Sequence, residues 1–302
     1  MKFIPKTLAC AAALAITFAG APAFAKTAKP AAPMPSTAKP ALWKLSDSDT
    51  TIYLFGTIHV LPKGITWLEG PVATALDRSD TLVTEIPEVQ PASMQALVGK
   101  MAVLPKGQSL KTVLPAKDYT LVNKALADNG IPAGALDPLE PWFVAVTLST
   151  LPLLKEGYSP ESGVEAALQA RNKAAKKPQV GLETAEFQLG IFDALPQKSQ
   201  VSYLREVIKG MPKLKTQIDS MVRYWAVGNH EKLGQMMNAD QTDPALMKAL
   251  LTNRNRNWTG WIKQRLDKPG TVFIAVGAGH LAGKDSVQSM LKKQGFKITR
   301  VQ

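Results

Sequence analysis

The fold of this chain can be predicted from the stretch TIYLFGTIH, residues 51–59. Residues 51–55 are β-branched, aromatic or aliphatic, and Gly56 ends the run, which is typical of a strand buried on both faces. A second run of this type, TVFIAV at residues 271–276, is ended by Gly277. Because strands buried on both faces occur in parallel sheets covered by helices, the two runs predict an α/β fold.

The segments around the two runs alternate between helix and strand patterns. Residues 68–78 have helical spacing and residues 81–86 form a strand pattern closed by Pro87, which predicts a right-handed parallel crossover. Further strands are predicted at 179–183 and 296–301, and helices mainly at 91–158, 163–173, 199–238, 244–266 and 286–294. Gly210-Met211-Pro212 and Gly228-Asn229 should interrupt the segment 199–238. The predicted architecture is a central, mostly parallel sheet flanked by helices, with a large helical middle segment and a site at the carboxyl ends of the strands.

The N-terminus has the three parts of a secretory signal peptide. Two lysines within the first six residues are followed by an apolar run at 7–20 and by the small-x-small site Ala23-Phe24-Ala25. The apolar run is too short for a membrane-spanning helix. We therefore predict a signal peptide over residues 1–25 and a periplasmic or secreted mature protein. Since Cys10 is the single cysteine, the mature chain should have no thiol and no disulfide.

The segment after the cleavage site is poor in apolar residues. Residues 26–41 are mostly Ala, Pro, Lys and Thr and predict a disordered tether, so that residues 42–302 form one folded domain. The most apolar stretch of that domain, residues 142–154, contains polar residues and a proline and predicts a buried helix. With a net charge of +12, the chain could make peripheral contact with anionic envelope surfaces. Its basic residues are scattered and not interleaved with aromatics, so no nucleic-acid partner is predicted.

Two of the three histidines share one local setting. His59 and His280 each follow a glycine by three residues, directly after one of the two apolar runs. Glu85 and Glu183 end two other predicted strands. A histidine could cap a turn and a glutamate could pair with a basic side chain, but two histidines in matched settings favour a common site. If they share a metal ion, neighbouring side-chain tips should be roughly 4–6 Å apart, since each ligand lies about 2 Å from the metal.

The third histidine and several other polar residues have weaker patterns than the two Gly-x-x-His motifs. His230 has no such setting and is predicted to lie on the surface at a helix start. Arg254 and Asn255 suit recognition of a carboxylate or an oxyanion, although a helix surface with Trp258 packed inward explains them equally well. The stretch ESGVE at residues 161–165 could be only a capped helix start. A Gly-x-Ser-x-Gly elbow, a His-Glu-x-x-His motif and a P-loop are absent from the sequence.

Taken together, these motifs resemble those of the TraB/GumN family. The motifs are FGTIHV at 55–60, VTEI at 83–86, GLET at 181–184, RN at 254–255 followed by Trp258, and GAGHL at 277–281. The family is grouped with the Tiki metalloproteases and, more distantly, with erythromycin esterases and ChaN-like haem-binding proteins. The resemblance extends over residues 42–302. It implies functional roles for His59, Glu85, Glu183, Arg254, Asn255 and His280.

The leading functional hypothesis is a metal-dependent hydrolase, specifically a peptidase. His59 and His280, with Glu85 or Glu183, would hold a divalent metal ion such as manganese, cobalt or zinc. The other glutamate would take a proton from the metal-bound water. The substrate would be a peptide or a small molecule.

Arg254 or Asn255 would stabilise the developing oxyanion of this reaction. One alternative is a metal-free hydrolase, resembling the esterases, in which one histidine is a general base oriented by a glutamate. The other alternative is a non-enzymatic periplasmic binding or assembly protein that uses the same cleft for a ligand such as haem.

Overall fold

A computed structural model describes residues 33–238 and 244–302, with the side chains of 237 and 238 left out. The predicted signal peptide and the first part of the predicted tether lie outside the described residues. Of the described residues, Glu88–Gly157 and Thr184–Thr216 form one compact unit, and the remainder form a second. We refer to these as the helical unit and the sheet unit.

The sheet unit contains a six-stranded sheet in the order β6-β4-β7-β2-β1-β8. Its strands are β1 Leu42–Ser46, β2 Thr50–Thr57, β4 Thr81–Thr84, β6 Gln179–Gly181, β7 Gly270–Gly277 and β8 Ile298–Arg300. β3 Leu61–Pro62 and β5 Tyr158–Ser159 form a separate two-stranded ladder. Strands β2, β4, β6 and β7 are parallel, whereas β1 runs antiparallel to β2 and β8. The predicted α/β class with a mostly parallel sheet is therefore confirmed.

The two apolar runs of the sequence become neighbouring parallel strands. β2 and β7 pair along their whole length, so that Gly56 lies opposite Val276 and Thr57 opposite Gly277. Gly56 lies so close to the neighbouring loop that an added Cβ would be 3.1 Å from the Cα atom of Ala278. The glycine therefore allows the second Gly-x-x-His segment to pack directly against the first strand.

The sheet unit also contains helices. They are α1 Gly70–Arg78, α6 Val164–Ala174, α9 His230–Asn238, α10 Pro244–Met247, α11 Asn253–Leu266 and α12 Val287–Lys293, with the end of α8 Gln197–Ala226. Trp258 and Ile262 of α11 and Val287 and Leu291 of α12 join the buried residues of β1, β2 and β7 in one hydrophobic cluster. This cluster supports the sheet beneath the strand ends that carry His59 and His280.

The helical unit has a separate aromatic core. Its helices are α2 Pro91–Met101, α3 Leu110–Val113, α4 Ala116–Asp128, α5 Pro141–Lys155, α7 Ala185–Asp193 and the first part of α8. The stretch predicted to be a buried helix is α5, which is buried over most of its length. Trp142 stacks on Phe192, and Phe192 stacks in turn on Tyr203. Within the described part of the chain, no helix has the length and apolarity needed to span a membrane.

Several local predictions differ from the structure. β1 was not predicted; it separates β2 from β8. β2 and β4 are not direct neighbours, because β7 lies between them. α8 continues through Pro212, so the predicted interruption at 210–212 is wrong, whereas the break near Gly228 is present.

The ordered backbone also begins before the predicted domain start at Leu42. The amide groups of Ala38 and Lys39 donate hydrogen bonds to the carbonyl oxygens of Thr66 and Ala226. The last residues of the segment predicted as a tether are thus held against the sheet unit.

Candidate active site

His59 lies two residues beyond β2 and pairs with a glutamate that the sequence left unassigned. Its Nδ1 atom is 2.6 Å from Oε1 of Glu165, in the first turn of α6. Gly163 makes this approach feasible, because an added Cβ there would lie 2.1 Å from the carbonyl oxygen of His59. The amide of Val164 also donates a hydrogen bond to the carbonyl of Ile58. We call the His59–Glu165 pair the dyad.

The pKa of His59 in the dyad is raised well above the usual value for a histidine. Burial disfavours a charged imidazole, but the Glu165 carboxylate outweighs burial and raises the pKa of His59 to about 9. The Nε2 atom of His59 is buried and has no hydrogen-bond partner among the described residues. The His59 side chain nevertheless keeps 14% of its surface exposed. The imidazole is thus anchored on one nitrogen, with the other left for a ligand or a proton.

Arg254, on α11, is the centre of the buried polar cluster next to the dyad. Its side chain is 1% exposed, and Nη2 lies 2.6 Å from Glu85 Oε2 and 2.8 Å from Glu183 Oε2. Nε also donates to Glu183, and Nη1 donates to the Leu250 carbonyl oxygen and to Nε2 of His280. Every N–H group of the guanidinium therefore has an acceptor. Although burial favours the neutral acid, Arg254 holds the pKa of Glu85 below its usual range.

His280 is held in one tautomer by two neighbours. Its Nδ1 atom lies 2.6 Å from Oδ1 of Asn255, whose Nδ2 donates to the carbonyl of Asp285. The amide oxygen must therefore accept, so Nδ1 of His280 carries the proton and Nε2 accepts from Arg254. Burial, helped by the charge of Arg254, lowers the pKa of His280 to about 3. His280 is thus a neutral imidazole at physiological pH.

Gly277 marks the point where the two histidines and Glu85 converge. Its amide donates to Glu85 Oε1 at 2.7 Å. A Cβ at this position would lie 3.1 Å from that oxygen and 3.7 Å from both His59 Nε2 and His280 Cδ2. A side chain here would therefore be tight against the Glu85 carboxylate and would contact both imidazole rings.

The structure thus brings all six sequence-derived positions together and leaves out His230. His230 begins α9, as the sequence predicted, and packs edge-on against Trp43 with ring centroids 5.2 Å apart. Asn255 contacts His280 and the Asp285 backbone, and Trp258 donates to Glu183 from 2.9 Å.

A family model described as the TraB/PrgY/gumN family matches residues 41–300. The chain belongs to this family. The resemblance inferred from the motifs is therefore confirmed. YbaP of Escherichia coli K12, described as uncharacterized, is 24% identical over 245 residues, which cover 80% of this chain and 87% of YbaP.

Two animal relatives of this TraB/PrgY/gumN member carry a functional name. A Metalloprotease TIKI homolog of Amphimedon queenslandica is 23% identical over 316 residues, and Metalloprotease TIKI1 of Danio rerio is 22% identical over 315 residues. The alignments cover 86% and 85% of this chain, but only 61% and 62% of the two relatives. No solved structure matches the chain.

The metal ion predicted from the sequence would need His59, His280 and Glu85 as ligands. His280 Nε2 and Glu85 Oε1 are 3.7 Å apart, a separation that two ligands of one ion can have. However, the Nε2 lone pair of His280 accepts a hydrogen bond from Arg254 at 3.1 Å. In the described residues, no group of three or more His, Cys, Asp or Glu side chains is arranged to hold a metal ion. The three donors therefore do not fit a metal centre while Arg254 binds His280.

The sequence patterns do not identify Glu165 as a site residue and do not distinguish the environments of the two histidines. The ESGVE stretch contained the signal, since Glu165 follows Gly163 and begins a helix, but nothing local showed that this helix packs on the His59 backbone. Nor does any local pattern distinguish His59, beside a carboxylate, from His280, beside an amide and a guanidinium.

Proposed function

We propose that this TraB/PrgY/gumN member is a hydrolase in which the dyad activates water. The observation that carries the proposal is the buried Nε2 of His59, which lacks a hydrogen-bond partner among the described residues while Glu165 holds Nδ1 at 2.6 Å. A carboxylate-oriented imidazole with one free nitrogen is the arrangement of a general base. The names of the TIKI relatives support hydrolysis as the reaction class.

In this mechanism, Nε2 of neutral His59 removes a proton from water as the oxygen attacks an ester or amide carbonyl. The imidazolium then returns the proton to the leaving group as the acyl bond breaks. Glu165 stabilises the imidazolium and keeps Nδ1 protonated. Because the pKa of His59 is about 9, kcat/KM should rise with pH until that value is reached.

The buried cluster has a supporting role in the proposal. Arg254 forms ion pairs with both Glu85 and Glu183, and Glu85 in turn accepts a hydrogen bond from the Gly277 amide beside the dyad. Buried carboxylates without this cation would be protonated or would destabilise the fold. The cluster therefore keeps the strand ends in place while His59 carries out the chemistry.

A second candidate is the metal-dependent peptidase predicted from the sequence. Metal-binding histidines commonly donate their other N–H to a carboxylate, as His59 does to Glu165, and two relatives are named metalloproteases. This candidate requires Arg254 to release Nε2 of His280, so that His59, His280 and Glu85 could hold a Lewis-acidic ion.

The experiment that separates the two candidates is hydrolysis of p-nitrophenyl esters and quenched fluorescent peptides by the mature exported protein. Activity that survives exhaustive chelation and is lost in His59→Gln supports the dyad mechanism. Activity that falls together with bound manganese, cobalt or zinc in His59→Gln and His280→Gln supports the metal mechanism. His230→Gln is the matched control, because His230 lies outside the cluster. Ligand binding without turnover would contradict both and favour the binding-protein alternative.

The remaining proposals concern the cell compartment. From the signal-peptide pattern we propose that the mature protein is periplasmic or secreted, and from its basic charge that it makes peripheral contact with anionic envelope surfaces. The mass of the protein purified from the periplasmic fraction tests this, since cleavage after Ala25 removes Cys10. A mass that retains Cys10 would contradict export by cleavage.

A further inference from the structure

A cavity of about 280 Å³ lies next to the buried cluster, outside the dyad. Its walls come from the segment that precedes α11 and from the loop that follows the second Gly-x-x-His motif. Pockets for drug-sized ligands start at about 300 Å³, so this cavity suits one short chain or one side chain.

The lining combines an aliphatic wall with a cationic rim. Met247, Leu251 and Ala282 supply apolar surface, and Lys248 and Lys284 lie at the exposed edge. In the part of the chain that the structure describes, neither lysine forms an ion pair. Among the lining residues that the structure describes, Asp285 is the one acidic side chain and Lys248 and Lys284 are basic, so their balance of charge is positive. A carboxylate at the end of a short aliphatic chain complements both parts.

The cavity shares structural elements with the candidate active site. Asn255, which binds Nδ1 of His280, and Gly279, of the second Gly-x-x-His motif, both line it. The lining also includes Lys248, Leu251 and Thr252 of the π-helical segment Lys248–Thr252, which continues directly into α11. π-Helical turns are rare and occur frequently at functional sites. The π-helical turn contains Leu250, whose carbonyl oxygen accepts a hydrogen bond from Nη1 of Arg254.

We propose that this cavity binds the carboxylate-bearing aliphatic end of a small ligand. In combination with the hydrolase function proposed above, on which this step rests, that ligand is the acidic end of the substrate or the released carboxylic acid product. The ammonium groups of Lys248 and Lys284 recognise the carboxylate, and the apolar wall covers the methylene groups.

The proposal can be tested with hexanoate as the probe, independently of turnover. The full-length protein, with ¹³C-labelled methionine methyl groups, is titrated with hexanoate and, separately, with hexylammonium. We expect a saturable shift of the Met247 methyl signal with hexanoate and none with hexylammonium. Lys248→Gln combined with Lys284→Gln should weaken hexanoate binding about tenfold, as expected for the loss of two exposed ion pairs.

Two further variants make the result decisive. Leu251→Trp should fill the cavity and abolish the shift while both lysines remain, and Lys263→Gln, an exposed lysine on α11 away from the cavity, should leave binding unchanged. Equal binding of hexylammonium, or equal effects of Lys263→Gln and the double lysine variant, would overturn the proposal. Saturable hexanoate binding without hydrolase activity would refute the proposed function alone. Turnover with an unchanged KM in Leu251→Trp would refute the substrate role alone.

Discussion

Glu165→Gln should release the proton that the dyad holds on His59. In the folded protein the pKa of His59 is raised from 6.5 to about 9, against the effect of burial, mainly by Glu165. This rise corresponds to about 3 kcal/mol of extra stabilisation of the imidazolium in the folded state. Glutamine keeps the size and one acceptor but removes the charge, so burial should then lower the His59 pKa below 6.5.

The same change has a defined effect on stability. Because the folded pKa lies above the unfolded value, the stabilisation is fully present below about pH 6.5 and is lost as the pH rises through about 9. The wild type should therefore lose about 3 kcal/mol of unfolding free energy between pH 6 and pH 10 from this group alone. Glu165→Gln should lose little over that range.

The assay is ¹⁵N NMR of the imidazole nitrogens, which is well suited to a chain with three histidines. His59→Gln assigns the His59 signals. Glu161→Gln is the matched control, since Glu161 is exposed and lies four residues before Glu165. A wild-type His59 that titrates near 6.5, or a His59 pKa that is equal in the wild type and Glu165→Gln, would refute the electrostatic reasoning.

Three further predictions concern the groups around the dyad. His280 should show the neutral Nδ1–H tautomer in ¹⁵N spectra until the pH approaches about 3, and Asn255→Ala should allow the other tautomer to appear. Arg254→Met should lower the unfolding free energy by about 3–5 kcal/mol, because it removes the cation that the buried carboxylates of Glu85 and Glu183 share. Adding Glu183→Gln should restore part of that loss in urea denaturation, and full additivity of the two changes would contradict the pairing. Gly163→Ala should lower the melting temperature and return the pKa of His59 to its ordinary range, since the alanine Cβ would lie 2.1 Å from the carbonyl oxygen of His59. A melting temperature and a His59 pKa equal to those of the wild type would contradict the close approach.

The sequence was sufficient to predict the strands on which the candidate site is built. The apolar runs ended by Gly56 and Gly277 have no polar face, so they could be placed only in the centre of a covered sheet. Parallel strands put their carboxyl ends at one edge of a sheet, and that rule predicts that His59, His280 and Glu85 lie at the same edge.

The pairing order of the strands was not predictable in the same way. β2 pairs with β7 across more than two hundred residues, and β1 inserts between β2 and β8. Local periodicity carries no information about which distant strand becomes a neighbour. The helix break predicted at residues 210–212 is absent for a related reason. Tertiary packing of α8 can compensate for the backbone hydrogen bond that Pro212 cannot donate.

The sequence by itself determined which chemical groups meet at the edge of the sheet. The tertiary structure alone decided what each group does there, because protonation and hydrogen bonding depend on distances of a few ångströms between segments far apart in the chain. Glu165 lies 2.6 Å from His59 and raises its pKa, whereas burial, together with Arg254 at 3.1 Å, lowers the pKa of His280. Two motifs of the same Gly-x-x-His pattern therefore carry one protonated histidine, His59, and one neutral histidine, His280.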